Sequence, residues 1–382
     1  MIYFDNAATS WQKPEPVYAA VNHTMRNSGN AGRGGNSMSI DASRILYSAR
    51  YGLSNLFGVD TPERIVFTQN VTEALNLAIK GVLNRGDHVI ISPFEHNSVV
   101  RVLEFLKVEW GVTYSVASWD VLNESIDARD IAEAFAKEIR PETKLICTTH
   151  ASNVFGTILP IAEIGRTASE HGIRFLVDVA QTAGVLPIDV KSMHIDLLAF
   201  TGHKGIMGPQ GTGGLYVAPD IKIRPLLHGG TGSLSARLEQ PDMFPEALES
   251  GTRNIPGIAG LLAGVEFCME HVESIRAHEL ALLDTLLQFL VGKQQVTILG
   301  PTDVRQRVGL VTFTVQSKRA DEIGVLLERN YGIITRTGLH CSPLAHQAGG
   351  TLEQGGVRIS VGYYNTRDEI HRLIDALEEV VC

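Results

Sequence analysis

Cysteine is scarce in this sequence, and its positions suggest no structural task. The four cysteines among 382 residues are Cys147, Cys268, Cys341 and Cys382, and no two of them form a C-x-x-C pair. Because disulfide frameworks and zinc knuckles use paired cysteines at short spacings, neither is expected here. We expect a cytoplasmic protein with at most one chemically active thiol and with no metal site.

Basic clusters and long apolar runs are also missing. The chain has 33 basic and 42 acidic residues, a net charge of −9, and no stripe dense in lysine or arginine, so we expect no nucleic-acid partner. The first six residues, MIYFDN, lack a basic region followed by an apolar one, so no signal peptide is expected. No uninterrupted apolar stretch reaches membrane-spanning length, so no membrane partner is expected either.

The middle of the chain alternates short apolar strands with amphipathic helices. The predicted strands are residues 65–68, 88–92, 145–149, 175–178, 197–201 and 213–217, and the predicted helices are residues 72–83, a segment after residue 95, and residues 161–171. Such alternation is typical of an α/β fold, in which helices cover both faces of a mostly parallel sheet.

A long helical pattern over residues 258–290 predicts a connection to a second, smaller region. This region has predicted strands at residues 297–299, 309–314 and 357–360, and predicted helices at residues 320–330 and 367–381. We therefore predict three parts: residues 1–29, packing with the small domain or a partner subunit; residues 30–257, a large cofactor-binding domain; and residues 258–382, a bridging helix and a small C-terminal domain. Residues 29–35 predict a flexible loop ahead of a helix.

A lysine and an acid stand at the ends of two predicted strands. Lys204 comes shortly after the apolar run 197–200, and Asp178 ends the run 175–177. Ligands of open α/β sheets bind beyond these carboxyl ends. A lysine placed there can form a Schiff base with an aldehyde cofactor, while an acid keeps a pyridine nitrogen protonated. The pair therefore predicts pyridoxal 5'-phosphate as the cofactor.

Other polar residues at this edge are candidates for contacts with phosphate and ring. Thr72 opens a predicted helix directly after a strand, where free N–H groups attract an anion, although such a threonine is most often simply an N-cap. Thr201 and His203 are further phosphate candidates. His96 suits stacking on a pyridine ring and proton transfer, and an ordinary structural histidine is the alternative.

Three more polar residues suit the rest of a cofactor and its substrate. Asn153 and Gln181 are uncharged groups fitted to a phenolate oxygen, with loop polarity near a turn as the alternative reading. Arg358 begins a predicted strand after two glycines, and its guanidinium would bind a carboxylate through two bonds. A structural ion pair is an equally good interpretation of Arg358.

One cysteine differs from the others in its surroundings. Cys341 lies in the segment RTGLHCSP, residues 336–343, where an arginine and a histidine stand nearby and would keep a thiol reactive. Cys147, inside an apolar strand, and Cys268, on an apolar helix face, are predicted to be packing residues.

Five stretches together give the chain a specific resemblance. They are NVTEALN at 70–76, EHNS at 95–98, HASNVFG at 150–156, DVAQ at 178–181 and TGHK at 201–204. The chain resembles fold-type I pyridoxal phosphate enzymes of the class V aminotransferase group, and within it the cysteine desulfurase and selenocysteine lyase family. The resemblance covers residues 3–366. It implies an α/β fold with a large domain built on a mostly parallel seven-stranded sheet, plus a small α+β C-terminal domain.

The resemblance implies a role for each matching residue. Lys204 would hold the cofactor, His96 would stack on its ring, and Asp178 would pair with the pyridine nitrogen. Further cofactor contacts are implied for Gln181, Asn153, Thr72, Glu73, Thr201 and His203, and for Thr252 from the loop 249–254 of a neighbouring subunit. Arg358, with Arg336 and Asn153 close by, would bind the substrate carboxylate. A homodimer with shared sites follows from the same similarity.

The segment around Cys341 discriminates within the family. RTGLHC is short and is similar to the SufS-like branch, in contrast to the longer mobile loop of the NifS/IscS-like branch. Two departures stand out: Leu339 replaces a histidine of the SufS-like segment, and Thr201 stands where a serine is usual.

The implied reaction is conversion of L-cysteine to L-alanine, which leaves a persulfide on Cys341 for a sulfur-acceptor protein to collect. L-selenocysteine would be handled similarly, without a requirement for Cys341. One alternative is a class V aminotransferase or another pyridoxal phosphate lyase in which Cys341 is incidental. A non-catalytic scaffold protein is a further alternative, although the presence of Lys204, Asp178 and His96 speaks against it.

Overall fold

A computed structural model describes residues 1–31, 35–123, 127–316 and 318–381. Residues 32–34 of the loop predicted at residues 29–35, and Cys382, therefore lie outside the described residues. The strands are β1 Ile2–Tyr3, β2 Ile65–Thr68, β3 His88–Ile91, β4 Thr113–Val116, β5 Thr143–Thr149, β6 Arg174–Asp178, β7 Leu197–Thr201, β8 Gly213–Val217, β9 Val296–Leu299, β10 Leu310–Val315, β11 Ile333–Ile334, β12 Arg336–Gly338 and β13 Gly356–Ser360. The helices are α1 Glu15–Asn27, α2 Ser37–Phe57, α3 Val71–Val82, α4 Asn97–Trp110, α5 Ala128–Lys137, α6 Ile161–Glu170, α7 Ile255–Val291, α8 Ala320–Tyr331, α9 Pro343–Ala348 and α10 Arg367–Val381.

Seven strands form one mixed sheet in the order β2, β8, β7, β6, β5, β3, β4. Strand β8 runs antiparallel to both of its neighbours, whereas the other neighbouring pairs are parallel. Every residue of β7 and β8 is buried, as expected for strands covered on both faces. The predicted α/β class and the mostly parallel seven-stranded sheet are confirmed. The edge strand β4 and helix α5 were not predicted.

Helix α7 is longer than the pattern 258–290 predicted, because Asn254 caps it and it continues to Val291. By length and composition alone this helix could cross a membrane, although Glu266 and Glu270 interrupt its apolar sequence, so the expectation of no uninterrupted apolar stretch of that length is not contradicted. Half of its most apolar 18-residue window is buried inside the fold. Its first part packs against α1 and α2, and residues Leu282 to Leu290 enter a second core. This placement is that of a core helix.

The second core lies between an antiparallel sheet, in the order β12, β13, β10, β9, and helices α7, α8 and α10. This is the predicted small α+β unit. Ile2 and Phe4 are part of its core, and β1 pairs with β11 in a parallel ladder. The N-terminal strand therefore packs where the C-terminal part of the chain folds. The domain boundaries at residues 29 and 257 stay a prediction.

The two cysteines predicted to pack in the interior do so. Cys147 on β5 and Cys268 on α7 are each fully buried, and the Cys268 thiol donates to the Gly205 carbonyl at 3.2 Å. Burial raises the pKa of Cys268 to about 12, which keeps this thiol protonated and unreactive.

Candidate functional site

The carboxyl ends of β2, β3, β5, β6 and β7 open onto one cavity of about 310 Å³, a size at the lower end of small-molecule sites. Nine predicted site residues line it: Thr72, His96, Asn153, Asp178, Gln181, His203, Lys204, Arg336 and Arg358. Seven of the nine follow the carboxyl ends of strands in the seven-stranded sheet, whereas Arg336 and Arg358 lie on β12 and β13 of the small antiparallel sheet. The structure thus places these nine residues, up to 286 positions apart in sequence, around one cavity, and their roles there remain predictions.

Lys204 and Asp178 form the charged centre of the cavity. Burial lowers the pKa of Lys204 to about 8, and the nearby Asp178 carboxylate partly opposes this shift. Asp178 is itself 4 % exposed, so burial raises the pKa of its carboxyl group, while Lys204 and a backbone N–H favour the charged form. Oδ1 of Asp178 accepts from the Ala180 N–H at 2.9 Å, whereas Oδ2 has no hydrogen-bond partner among the described residues. Near neutral pH a larger fraction of Lys204 is therefore neutral than for an ordinary lysine, and Asp178 presents a carboxyl oxygen without a partner among the described residues.

His96 is the N-cap of α4 and is held as a neutral ring. Its Nδ1 accepts from the Ser98 N–H at 3.1 Å, so the single ring proton resides on Nε2. Burial and the neighbouring cations, Lys204 first among them, lower the pKa of His96 to about 4. Ser98 also bonds the Thr72 hydroxyl at 2.8 Å. The two helix N-termini at α3 and α4 are thereby joined at the cavity wall.

The structure corrects the interpretation of Thr72 as an N-cap. Helix α3 begins at Val71, and the capping residue is Asn70, whose side chain accepts from the Glu73 N–H at 2.9 Å. The Glu73 carboxylate in turn accepts from the Gln69 N–H at 2.6 Å, which completes a reciprocal cap. Thr72 is left free to face the cavity, and Glu73 is turned away from it.

The TGHK segment is fixed by the N-terminal segment of the chain. The His203 carbonyl accepts from the Ser10 N–H at 2.9 Å and from Lys13 Nζ at 3.0 Å, and the Lys204 carbonyl accepts from the Ser10 hydroxyl at 2.9 Å. Nδ1 of His203 is buried and has no hydrogen-bond partner in the part of the chain that the structure describes. Gln181 donates to the Ala7 carbonyl at 3.1 Å. These contacts hold the main chain on either side of the reactive amine.

Arg358 is nearly inaccessible, with a side-chain exposure of 2 %, yet its guanidinium is only partly used. Nη2 donates to Asp5 at 2.8 Å and Nη1 donates to the Asn153 carbonyl at 3.0 Å, while Nε is buried with no partner among residues 1–31, 35–123, 127–316 and 318–381. Burial lowers the pKa of Arg358 and Asp5 opposes that shift. The structural ion pair that we kept as an alternative therefore exists, and it leaves an N–H donor beside the cavity.

Cys341 lies at the mouth of the cavity and not on its wall. Its side chain is exposed, its Sγ is 4.0 Å from Arg336 Nη2, and the neighbouring His340 lines the cavity. Both residues adopt left-handed backbone, with φ of 52° at His340 and 59° at Cys341. Non-glycine residues in this region cost roughly 1–3 kcal/mol each and persist only where surrounding contacts hold them.

Three hydrogen bonds supply that restraint. Asn97 at the start of α4 donates its N–H to the Cys341 carbonyl at 2.8 Å. Asn153 donates to the His340 carbonyl at 2.8 Å, and it accepts from the Ser342 hydroxyl at 2.7 Å. The thiol segment is thus tied to the loops that follow β3 and β5.

Three predicted cofactor ligands do not reach the cavity wall of their own chain. Glu73 serves the cap of α3, Thr201 is buried with its hydroxyl toward the Thr212 carbonyl at 3.4 Å, and Thr252 is exposed. Thr252 borders a separate hollow of about 300 Å³ that also contains Arg50 and Glu249. The cofactor contacts of all three remain predictions.

Sequence reasoning gave no role to several residues that shape the site. Ser98 and Glu95 stand in the EHNS stretch, beside a residue that was assigned, so proximity to a predicted strand end was the available signal. Glu95 is fully buried, its Oε1 accepts from the Thr149 N–H at 2.9 Å, and burial raises its pKa to about 8. Asp5 lies 353 positions from its partner Arg358, and no local pattern could have paired them.

The residues present fit pyridoxal 5'-phosphate. Lys204 offers an amine to an aldehyde, Asp178 offers a free oxygen to a pyridinium N–H, and Nδ1 of His203, buried without a partner, is available to a phosphate. Thr72 and the N-terminus of α3 add further phosphate donors. Within the described ranges no cluster of three or more His, Cys, Asp or Glu side chains is arranged to hold a metal ion.

Comparison with known proteins agrees with this geometry. The model of the class-V aminotransferase family matches residues 2–373. A probable cysteine desulfurase of Methanothermobacter thermautotrophicus is 33% identical over 99% of this chain and 94% of its own length. Cysteine desulfurase IscS of Methanosarcina thermophila is 31% identical over 100% of this chain and 92% of its own. The apo structure of a cysteine desulfurase from Thermococcus onnurineus NA1 superposes with a TM-score of 0.89 at 32% identity, covering 100% of this chain and 94% of that one.

Matches of this extent include both cores and every strand that delivers a residue to the cavity. They also agree with the sequence motifs, which span nearly the same residues. The chain belongs to the class-V aminotransferase family of pyridoxal-phosphate-dependent enzymes, in its cysteine desulfurase group.

Proposed function

We propose that this protein is a pyridoxal-phosphate-dependent cysteine desulfurase that converts L-cysteine to L-alanine and retains the sulfur as a persulfide on Cys341. The observation that carries the proposal is the position of Cys341. It is the exposed thiol among the described cysteines, and both Arg336 and His340 beside it line the cavity that contains Lys204. A thiol at this mouth can meet the sulfur of a substrate whose amino group is directed toward Lys204.

The reaction balances without a further reactant. The Cys341 thiolate forms a bond to the substrate sulfur, the substrate C–S bond breaks, and its electron pair stays on carbon, where a proton completes the methyl group of alanine. The net change is L-cysteine plus enzyme thiol giving L-alanine plus enzyme persulfide. The bound cofactor supplies an electron sink for the negative charge that develops on the substrate carbon atoms.

Lys204 is the group that moves the α-proton in this proposal. With a pKa of about 8, its amine is neutral in a substantial fraction of molecules near pH 7–8, which a lysine with an ordinary pKa would not be. Asp178, held within reach of Lys204's charge, stays available to keep the cofactor's ring nitrogen protonated.

The substrate carboxylate is assigned to Arg358 and Asn153. Nε of Arg358 is a buried N–H donor with no partner among the described residues, and an unsatisfied donor of this kind favours an incoming acceptor such as a carboxylate. Asp5 and the Asn153 carbonyl fix the rest of the guanidinium, so the donor direction is set before substrate arrives. Arg336, whose Nη2 lies 4.0 Å from the Cys341 Sγ, adds positive charge at the entrance.

The finer assignments rest on the same geometry. The short, tied segment around Cys341 supports the SufS-like branch and a sulfur-acceptor protein that approaches the mouth. Thr252 does not line the cavity of its own chain, so its predicted phosphate contact requires a second copy, which supports a homodimer with shared sites. L-selenocysteine would meet the same carboxylate and amine contacts. A cytoplasmic location is part of the proposal, because a thiol that cycles through a persulfide needs reducing surroundings.

The proposal is tested by measuring alanine and sulfide from L-cysteine in the presence of a thiol reductant. The cofactor-loaded protein should release the two in equal amounts, and Cys341→Ala should release neither while retaining the absorbance of the bound cofactor. Cys147→Ala serves as the matched control and should keep the activity. Undiminished alanine release by Cys341→Ala would contradict the proposal and favour a lyase that does not use the thiol.

A further inference from the structure

Two buried histidines that the proposed reaction leaves unused are bonded to each other behind Cys341. His340 Nδ1 lies 3.3 Å from His346 Nε2, and the exposed fractions of the two residues are 4 % and 0 %. His346 Nδ1 lies 2.8 Å from the Thr351 hydroxyl, and His340 Nε2 lies 3.3 Å from the Arg336 carbonyl oxygen. Thr351, His346, His340 and Arg336 thus form one chain of hydrogen bonds, which we call the histidine relay.

Both rings are uncharged, because burial lowers the pKa of His346 to about 4 and that of His340 to about 2. The end of the relay fixes its direction, since the Arg336 carbonyl can only accept. His340 must therefore carry its proton on Nε2 and accept on Nδ1. His346 must then donate from its own Nε2, so its Nδ1 accepts from the Thr351 hydroxyl.

The relay acts on the least relaxed backbone of the site. His340 and Cys341 are both left-handed, and Gly338, two residues before His340, has a φ of 103°. Asn153 and Asn97 donate hydrogen bonds to the carbonyls of His340 and Cys341 and so restrain the main chain. These two bonds do not restrain the His340 ring. The relay does so, and it connects that ring to the carbonyl of Arg336, whose side chain faces the thiol at 4.0 Å.

We propose that His346, with its tautomer set by Thr351, is a positioning residue that holds Cys341 and Arg336 in register for sulfur transfer. The predicted effect on kcat rests on the proposed desulfurase function. The predicted tautomers of His340 and His346 do not depend on it. His346 touches neither substrate nor cofactor in this account. It acts through His340, and its effect should be confined to the step that uses the thiol.

The structural part is tested by nitrogen NMR of protein labelled with ¹⁵N-histidine, with the two rings assigned from His340→Gln and His346→Gln variants. Both histidines should be neutral near pH 7 and protonated on Nε2 only. A His346 ring that carries its proton on Nδ1, or either ring charged at this pH, would overturn the relay. This readout needs neither cysteine nor turnover.

The kinetic part uses a nearly isosteric pair at the far end of the relay. Thr351→Val keeps the volume but removes the hydroxyl that sets His346, while Thr351→Ser keeps the hydroxyl. The valine variant should lower kcat for alanine formation about tenfold to a hundredfold, because a displaced nucleophile loses near-attack geometry. Its KM, its cofactor absorbance and its thermal midpoint should stay close to those of the serine variant, which should retain near-normal kcat.

His346→Phe, which fills the space without a donor, should reproduce the kcat defect of Thr351→Val. Equal kcat in the valine and serine variants, together with normal kcat in His346→Phe, would contradict the positioning role even if the tautomers are as assigned. If the unaltered protein forms no alanine at all, the desulfurase proposal fails, and the NMR result still decides whether the relay exists.

Discussion

The cofactor pocket and the Cys341 segment share one cavity but are built in different ways. The pocket residues Lys204, Asp178 and His96 follow buried parallel strands, whose backbone is fixed by the sheet. Cys341 lies between short β12 and α9, in left-handed backbone held by side chains from distant parts of the chain. The groups proposed to act at the substrate's α-carbon are thus positioned by the sheet, whereas the thiol proposed to act at the substrate's sulfur is positioned by tertiary hydrogen bonds.

The difference has a consequence for how mutations act. A change in the pocket removes a reacting group from an otherwise intact framework, so both halves of the reaction should stop. A change in the bonds that hold the Cys341 segment should leave cofactor binding alone and slow only sulfur transfer. Of these two kinds of change, we expect a change in the pocket to have the larger effect on alanine formation.

Lys204→Ala should lower alanine formation by at least about 10²–10⁴-fold, because it removes both the cofactor's attachment and the group that moves the α-proton. Steady-state alanine release and the absorbance of the purified protein measure the two losses. Lys191→Ala is the matched control: Lys191 is exposed and forms only a surface ion pair with Asp60 at 2.6 Å, so its loss should change neither quantity. Full activity in Lys204→Ala would show that this pocket is not where alanine is formed.

Ser342→Ala should act on the other region. It removes the bond that the buried Ser342 hydroxyl donates to Asn153 Oδ1 at 2.7 Å, which predicts a loss of about 1–3 kcal/mol in the free energy of unfolding. Sulfur transfer in a single turnover should fall further than cofactor affinity does. Asn76→Ala, which removes one side-chain bond to the Thr72 carbonyl on α3, is the control and should leave stability nearly unchanged. Equal losses of cofactor affinity and of the sulfur-transfer rate would contradict the proposed difference between the two regions.

The pH dependence of cofactor loading provides the mildest test. Only the neutral amine of Lys204 attacks an aldehyde, and its neutral fraction rises as pH increases through the pKa, which burial lowers to about 8. The rate at which apoprotein takes up pyridoxal 5'-phosphate should therefore rise between about pH 7 and pH 9 and then level off. A rate still rising steeply toward the ordinary lysine pKa of 10.5 would show that the amine is not desolvated.

Sequence patterns predicted the pocket much better than its supports. Strand–polar-residue junctions are local signals that point to Asp178, His96 and Lys204, and apolar runs predict six of the seven strands. The seven-stranded sheet itself is implied by the family resemblance, since the edge strand β4 has no clear apolar pattern. The N-cap of α3 was misassigned to Thr72, since Asn70 lies only two residues away and both residue types cap helices. The pairing of Asp5 with Arg358 depends on packing between residues 353 positions apart, and no local pattern contains it.

The residues behind the thiol were missed for the same reason. The sequence analysis gives His346 and Thr351 no role, because the hydrogen bonds from His340 to His346 and from His346 to Thr351 are formed only in the folded chain. Helix ends also moved by one to three residues, which propensity rarely resolves. Polar residues next to strand ends can be recognised in the sequence, whereas the contacts that restrain strained backbone can be identified only in the folded chain.

The most direct test of the account is to locate the sulfur after one turnover. The cofactor-loaded protein should be mixed with one equivalent of L-cysteine without reductant, treated with an alkylating agent, digested, and analysed by mass spectrometry. The account predicts an alkylated persulfide, one sulfur atom heavier than the alkylated thiol, on the peptide containing Cys341, in an amount equal to the alanine formed. Alanine formed in that amount with Cys341 free of added sulfur would contradict it.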